Sequence, residues 1–387
     1  MTAPDFGHVR AAVAELLPEI TELRRRLHRR PELAFREVAT TEAVLSTLRA
    51  AGLEPRSRSP RTGLVVDVGA GKRLVGFRSD LDALPIQEPE GLEFRSQIAG
   101  VMHACGHDVH TAIGAGLALV VSKLQLDRRI RLIFQPAEEA FPGGGHEMVS
   151  EGAAAGLEAI VAFHCDPTLE VGRVGMRPGP VTASADRFFV TLEGPGGHTA
   201  RPHRTVDLVF AAGLVVSQLP GLIDRLTDAR LPKAVVFGTI SGGTAENVIP
   251  TKVDMSGTCR TLDRGLWEEI PTLIDRLVHE IVAPTGAKVV FKYVRGVPPV
   301  INNPDVVTAC REAVSHSLGV TTIVEAENSM GAEDFSAFTE AVPGALMRLG
   351  VKTPGERSVD LHSASFRADE GAVEVGLLAG MASLLAI

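Results

Sequence analysis

The sequence predicts an α/β protein in which a doubly wound, mostly parallel sheet forms the main domain and a smaller α+β domain is inserted into it. Short runs of β-branched and apolar residues alternate with helical stretches in the first third of the chain. After a glycine- and proline-rich stretch at residues 175–180, two long helices and several strands follow instead. The 387 residues also exceed what one compact domain usually holds. We expect residues 1–180 and 295–387 to form the main domain and residues 181–294 the inserted one.

The main domain is predicted to begin with two helices. Residues 8–30 have helical apolar spacing, although Pro18 interrupts the pattern and Pro31 ends it. A second helix spans about residues 37–51 and ends at Gly52, because glycine is favoured just after a helix. Strands are then predicted at 64–68, 74–78, 130–134 and 159–163, with a helix at 109–124.

The inserted domain is predicted to contain two helices that frame several strands, and the main domain is predicted to resume near residue 298. Its strands are predicted at 187–192, 234–240, 252–260 and 288–293, and its helices at 206–226 and 266–281. A final helix at 369–385 returns to the main domain.

Composition limits the partners of the protein. The formal net charge of -8 and the absence of a dense basic cluster disfavour nucleic acid and anionic membranes. Asp5, Arg10 and Glu15 break up the N-terminal segment where a signal peptide needs an apolar stretch. The longest apolar run, residues 375–387, is too short to span about 30 Å of hydrocarbon. With four widely spaced cysteines and no CxxC pair, we expect reduced thiols and a cytoplasmic protein.

Polar residues follow three of the predicted strands at one consistent place. Asp80 and Asp82 follow the 74–78 strand, Glu138 and Glu139 follow 130–134, and His164 follows 159–163. Because the carboxyl ends of parallel strands face the ligand crevice of an open α/β sheet, we expect these five side chains to converge there.

The segment "MHACGHD" at residues 102–108 has three interpretations. A structural zinc site needs four ligands, so Cys105 and His107 bind metal only if distant acids or histidines complete the set. The segment is otherwise a turn with a buried cysteine, or it carries a cysteine nucleophile paired with His107. Neighbours two positions apart in a turn seldom point at each other, which disfavours the nucleophile.

The pair Glu138-Glu139 offers two carboxylates that diverge in an extended or turning backbone. One can then ligate metal while the other acts as general base. For a lone Glu-Glu pair, an ordinary acidic loop is the simpler interpretation. In the inserted domain, glycines precede His198, as in an exposed loop that presents an imidazole. Arg260 can bind a carboxylate with its planar guanidinium or form a surface salt bridge. The chain has neither a phosphate-loop spacing nor a G-x-S-x-G serine elbow.

Taken together, nine collinear motifs resemble the amidohydrolase branch of the aminoacylase-type dinuclear metallopeptidases. This branch includes hippurate hydrolases, auxin-conjugate hydrolases and N-acyl-L-amino acid amidohydrolases. The motifs cover almost the whole chain: LHRRPEL (27–33), RSDLDALPIQE (78–88), MHACGHDVH (102–110), QPAEEAFPGG (135–144), GGHTARPH (196–203), NVIP (247–250), GTCRT (257–261), MGAEDF (330–335) and LHSASF (361–366).

The resemblance implies two divalent metal ions per subunit, Mn, Zn, Co or Ni, with Glu138 as general base. It also implies that the inserted domain is a lid that dimerises, giving a homodimer or a dimer of dimers. His198 would stabilise the oxyanion in the partner subunit's site, and Asn247 and Arg260 would bind the substrate carboxylate. Asp82 matches an acid that, in the wider superfamily, orients a ligating histidine two residues earlier, a position held here by Asp80. The implied metal ligands are Cys105, His107, Glu139, His164 and His362.

The expected reaction is metal-dependent hydrolysis of the amide bond of N-acyl-L-amino acids, with an N-acetyl or aroyl group, to a carboxylic acid and a free amino acid. A dipeptidase or carboxypeptidase on the same scaffold is the close rival. No acid is obviously placed to receive a free amine on the substrate, which favours the acylase. A cysteine hydrolase and a non-catalytic ligand-binding homodimer are the alternatives from other classes.

Overall fold

The computed structural model describes residues 6–387, so Asp5 lies outside the described residues. The chain forms two compact units. Unit 1 comprises the residues up to Val181, Ile301–Asn328 and Asp334–Ile387, and unit 2 comprises Thr182–Val300 and Ser329–Glu333. Each unit has its own hydrophobic core.

The helices and strands are numbered here in chain order. The helices are α1 (Phe6–Arg29), α2 (Val38–Ala50), α3 (His107–Leu124), α4 (Gly145–Ser150), α5 (Leu208–Leu226), α6 (Arg264–Val282), α7 (Pro304–Leu318), α8 (Ser336–Ala341) and α9 (Gly371–Ala386). The strands are β1 (Arg56–Ser57), β2 (Leu64–Val68), β3 (Leu74–Asp80), β4 (Arg129–Gln135), β5 (Ala159–Glu170), β6 (Val174–Met176), β7 (Gly179–Thr182), β8 (Ala185–Glu193), β9 (Gly197–His198), β10 (Lys233–Gly242), β11 (Val248–Ile249), β12 (Lys252–Thr261), β13 (Lys288–Val297), β14 (Val300–Asn302), β15 (Ile323–Glu325) and β16 (Gly344–Lys352).

Unit 1 is built around an eight-stranded sheet in the order β1-β2-β4-β3-β5-β16-β6-β15. The central pairs β4–β3, β3–β5 and β5–β16 are parallel, as is β6–β15. Antiparallel pairing occurs at β1–β2, β2–β4 and β16–β6. The predicted α/β class with a largely parallel central sheet is confirmed.

The first helix differs from its prediction. Pro18 lies inside α1, which continues unbroken from Phe6 to Arg29. Proline removes one backbone hydrogen bond from a helix interior. Val9, Val13, Ile20 and Leu27 are all buried in the core, and packing of this kind usually outweighs local helix propensity.

Strands β3 and β5 are longer than predicted and carry two of the polar residues with them. Asp80 is the last residue of β3, and His164 lies within β5. Asp82 follows β3, and Glu138 and Glu139 follow β4. Because β4, β3 and β5 are parallel, these residues all lie at the carboxyl edge of the sheet.

Unit 2 contains a four-stranded antiparallel sheet in the order β10-β12-β8-β13, with α5 and α6 packed on it. Among the described residues, 6–387, helix α5 has the length and the apolar composition of a membrane-spanning helix. Core helices pass the same test, and α5 buries one side in the core of unit 2 through Leu208, Ala211, Ala212, Val215, Leu219 and Ile223.

Candidate metal centre

Six predicted site residues meet at the carboxyl edge of the unit 1 sheet. Each of three groups has potential ligand atoms that all lie within 4.8 Å of one another. The groups are Cys105 with His107 and His164, Cys105 with Glu139 and His362, and His107 with Glu138 and Glu139. The segments that supply them are separated by up to 257 positions, from Cys105 to His362, so only the fold brings them together.

Backbone carbonyl groups fix the tautomers of two histidines. His107 Nδ1 lies 2.9 Å from the carbonyl oxygen of Asp82, and His164 Nδ1 lies 2.8 Å from that of Cys165. A carbonyl oxygen only accepts, so each Nδ1 carries a proton and donates it. The Nε2 atoms are therefore left with the ring lone pairs, and the buried His107 Nε2 makes no hydrogen bond in the described structure.

Cys105 lies in the turn before α3. Its Sγ is 3.6 Å from His164 Nε2 and is buried. The turn requires Gly106, which has a φ of 86°, because a Cβ there would lie 2.6 Å from Cys165 Sγ. Burial first, and then the charges of Glu139 and Glu138, hold the pKa of the Cys105 thiol well above its usual range. A nucleophilic cysteine needs the opposite shift, so this environment disfavours the cysteine hydrolase.

His362 reaches the same cluster from the loop before α9. Its backbone lies in the left-handed region, with a φ of 62°, and its N–H donates to the carbonyl oxygen of Ala104 at 2.8 Å. Nε2 is 3.0 Å from Glu139 Oε1, and this close carboxylate raises the pKa of His362. Its side chain is 51% exposed, so it forms the solvent side of the cluster.

Asp82 holds three residues of the cluster by hydrogen bonds. Its Oδ1 accepts a hydrogen bond from the Glu138 amide at 3.0 Å, and its Oδ2 accepts one from the Glu139 amide at 2.9 Å. The same residue's carbonyl oxygen fixes His107. Asp82 thus contacts the backbone of both glutamates as well as a histidine.

Asp80 is held by two cationic or polar partners. Its Oδ2 accepts from Arg78 Nη1 at 2.6 Å, and its Oδ1 accepts from His110 Nδ1 at 2.7 Å. His110 Nε2 in turn accepts from the Cys165 amide at 2.9 Å. Burial opposes ionisation of Asp80, but the Arg78 guanidinium and the hydrogen bond from His110 outweigh it and hold its pKa well below the usual range.

The buried hydrogen bonds of Asp334 were not predicted from the sequence. Asp334 accepts from Arg78 Nη2 at 2.7 Å, from Gln135 Nε2 at 2.8 Å and from the Gly145 amide at 2.7 Å. All of these residues are buried. Asp334 and Gln135 both lie in quoted motifs, so the motifs were the available signal, but no local pattern indicated that they meet.

The remaining predicted residues belong to unit 2. His198 lies on β9 opposite Val248 of β11, and Asn247 precedes that strand. The Ala200 amide donates to His198 Nδ1 at 3.1 Å, so the proton of a neutral ring is on Nε2, which can donate. Arg260 lies on β12 and donates to the carbonyl oxygen of Met330 at 2.9 Å. None of the three is part of the unit 1 cluster.

Comparisons with known proteins agree with this geometry. Residues 76–383 match the family described as peptidase family M20/M25/M40. The chain belongs to this M20/M25/M40 family. An N-acyl-L-amino acid amidohydrolase from Geobacillus stearothermophilus is 40% identical over 298 residues, covering 76% of this chain and 80% of that protein.

Two further relatives extend the comparison. A longer Rhodococcus jostii protein, named as a glutamate--cysteine ligase 2-3, is 42% identical over 360 residues; the match covers 93% of this chain but only 45% of that protein. A crystal structure from Bacillus subtilis, described as a dinuclear metal binding peptidase from the M20 family, matches with a TM-score of 0.85 and 32% identity. It covers 96% of this chain and 98% of that one.

These comparisons confirm the predicted resemblance to the amidohydrolase branch. The chain is therefore an amidohydrolase that depends on divalent metal ions and acts on small-molecule amides.

Proposed function

We propose that the protein hydrolyses the amide bond of N-acyl-L-amino acids that carry an N-acetyl or aroyl group, releasing a carboxylic acid and a free amino acid. The observation that supports this most is the unit 1 cluster, in which a thiol, three imidazoles and the two carboxylates of the Glu138-Glu139 pair meet. The amidohydrolase name of a relative at 40% identity supports the substrate class.

The donor set fits two divalent ions. His107 Nε2 is buried and has no hydrogen bond, which a ligated imidazole would explain. His107 and His164 both direct Nε2 away from the carbonyl oxygens that hold their other nitrogens. A thiolate among imidazoles and carboxylates suits Zn, Mn, Co or Ni. We assign the ligands to Cys105, His107, Glu139, His164 and His362.

The ions, when bound, would supply Lewis acidity and lower the pKa of a water molecule toward about 7. Glu138 then acts as general base: a carboxylate oxygen accepts a proton from the attacking water and delivers it to the leaving amine. Its Oε2 lies 3.8 Å from His107 Nε2, so it faces the same space as that ligand. Asp82 holds the amides of both glutamates, so we assign it to positioning.

The residues of unit 2 provide recognition. His198, with its proton on Nε2, would stabilise the oxyanion in the partner subunit's site. Asn247 and Arg260 would bind the substrate carboxylate, and the Arg260 guanidinium keeps donors besides the one used by Met330.

Unit 2 also carries the surface that we propose for homodimer, or dimer-of-dimers, formation. Strand β10 is an edge strand of its sheet, and edge strands invite pairing with another chain. Val236 and Ile240 of β10 are 57% and 59% exposed, and Val209 and Phe210 of α5 are 58% and 59% exposed. We place the enzyme in the cytoplasm, since all four cysteines are free thiols.

The test is a panel of N-acetyl- and N-benzoyl-amino acids scored by release of the free amino acid. We expect activity that a chelator removes and a divalent metal restores. Glu138→Gln should lower kcat by about 100-fold or more, the contribution typical of a general base, while divalent-metal binding persists. Activity that survives complete chelation, or that is unchanged in Glu138→Gln, contradicts the proposal.

A peptidase activity is the second candidate, favoured by the description of the Bacillus subtilis structure as a peptidase. The two reactions differ only in whether the acyl side of the substrate carries a free amine. Dipeptides in the same panel separate them: higher kcat/KM on a dipeptide than on its N-acetylated amino acid counterpart would favour the peptidase.

A further inference from the structure

Glu37 makes an unusual long-range contact for the residue that precedes a helix. It immediately precedes α2 but gives that helix no side-chain cap hydrogen bond. Its Oε1 instead accepts from the Ala137 amide at 2.8 Å, across 100 positions of sequence. The residue is 0% exposed, so its carboxylate makes its contacts inside unit 1 and not with solvent.

Ala137 has a strained backbone. Its φ of 57° lies in the left-handed region, which is unfavourable for a residue other than glycine. Such a conformation persists only where surrounding contacts determine it. The Ala137 amide is held by Glu37, and its carbonyl oxygen accepts from the Gly144 amide at 3.0 Å. The next two residues are Glu138 and Glu139, so the direction of both side chains depends on this turn.

Two buried carboxylates hold three consecutive amides. Glu37 accepts from Ala137, while Asp82 accepts from Glu138 with one oxygen and from Glu139 with the other. We propose that Glu37 is a positioning residue for the amide hydrolysis: by holding Ala137 in its left-handed conformation it places the general base and the adjacent metal ligand. This inference rests on the proposed roles of Glu138 and Glu139.

The contacts of Glu37 predict which substitutions preserve its role. Oε1 also accepts from the Phe35 amide at 2.9 Å, and Oε2 accepts from Thr62 Oγ1 at 2.7 Å. Glutamine keeps Oε1 for both amides, and its NH2 group can donate to Thr62 because a hydroxyl also accepts. Aspartate keeps the charge but is one methylene too short to reach. The geometry therefore requires the length of the side chain and one acceptor oxygen, rather than the charge.

The experiment compares Glu37→Gln, Glu37→Asp and Glu37→Ala with the wild type in kcat, KM and the affinity of the metal-free protein for Mn²⁺, measured by calorimetry. For Asp and Ala we expect kcat to fall about 10- to 100-fold and Mn²⁺ to bind about 10-fold more weakly, as for other residues that orient metal ligands. KM should stay within about 3-fold, because Glu37 is buried and does not face substrate. Glu37→Gln should stay within about 3-fold of wild type in all three quantities.

Glu32→Ala is the matched control for stability. Glu32 accepts from the Ala39 and Thr40 amides at 3.1 and 2.8 Å, so the change weakens the start of α2 without touching Ala137. It should lower the melting temperature while kcat and Mn²⁺ affinity remain those of the wild type.

Two results would overturn the inference: wild-type kcat and Mn²⁺ affinity in Glu37→Asp, or losses in Glu37→Gln as large as those in Glu37→Asp, which would show that side-chain length and one acceptor oxygen are not sufficient. If Glu37→Ala does not fold, the Gln and Asp variants still decide the question. If the wild type cleaves no N-acyl amino acid, the proposed function fails, yet the Mn²⁺ affinities still test Glu37.

Discussion

Replacing Asp82 by asparagine tests whether the glutamate pair is held as the structure shows. Both carboxylate oxygens of Asp82 accept backbone N–H groups, from Glu138 at 3.0 Å and from Glu139 at 2.9 Å. Asparagine turns one of these acceptors into an NH2 donor. Whichever way the amide group is oriented, one backbone N–H then faces a donor. Asp82 is 0% exposed, so solvent is poorly placed to replace the lost bond.

The magnitude follows from that single unsatisfied amide. Leaving a buried donor without an acceptor costs about 1–3 kcal/mol. The loop can avoid the cost only by moving Glu138 or Glu139 away from the cluster. At about 1.4 kcal/mol per tenfold change, we expect divalent-metal affinity or kcat to fall roughly 10- to 100-fold, the range seen for residues that support metal ligands.

The assay is calorimetric titration of the metal-free protein with Mn²⁺, followed by kcat at saturating metal. Glu37→Gln is the matched control, since it makes the same acid-to-amide change at the neighbouring Ala137 amide but leaves every partner satisfied. His107 should keep its tautomer in Asp82→Asn, because its Nδ1 donates to the backbone carbonyl oxygen of residue 82, which the substitution leaves in place. Wild-type Mn²⁺ affinity and kcat in Asp82→Asn would refute the reasoning.

Two further predictions concern recognition and stability. Arg260→Ala should raise KM for N-acyl amino acids with a free carboxylate by about 10-fold or more and leave the esterified analogues nearly unchanged, because a charged hydrogen bond contributes about 1.5–3 kcal/mol; equal losses on both substrates would exclude the carboxylate role. Burial lowers the pKa of His28, but Asp108 and Glu88 outweigh it and raise the pKa to about 9, above the unfolded value near 6.5. Its stabilisation is therefore complete below pH 6.5 and is lost as pH rises through 9, by up to about 3 kcal/mol. In urea unfolding, His28→Asn should flatten this loss between pH 6.5 and 9, and an unchanged slope would count against it.

Much of the site is predictable because one topological rule decides it. Parallel strands bring their carboxyl ends to one edge, so the residues that follow β3 and β4 lie at the same edge as His164 of β5, whatever the lengths of the loops between them. That rule placed Asp82, Glu138 and His164 together from strand patterns alone. Bare residue patterns left Cys105 open between a ligand, a nucleophile and a buried turn, and only the collinear motifs favoured the ligand.

The supporting residues were not predictable in this way. Glu37 looks like the first residue of a helix in the sequence, and nothing local shows that its side chain turns to a loop 100 positions away. Asp334 follows no strand, and its partners Arg78 and Gln135 are distant in sequence. Contacts of this kind depend on side-chain packing between segments, which carries no periodic signal.

These unpredicted contacts also decide which residues are free to bind metal. Asp80, His107 and His110 form a group with ligand atoms within 4.8 Å of one another, as plausible by residue type as the group around Cys105. Yet His110 uses Nδ1 to donate to Asp80 and Nε2 to accept from the Cys165 amide, so a neutral ring has no lone pair left. One carboxylate oxygen of Asp80 accepts from His110 and the other accepts from Arg78. A cation on that side of His107 would have to displace three buried hydrogen bonds, whereas on the Cys105 side it meets imidazole nitrogens that backbone carbonyls have already oriented. The partners of each side chain, more than its type, therefore favour the proposed metal centre beside Cys105 over one at Asp80 and His110.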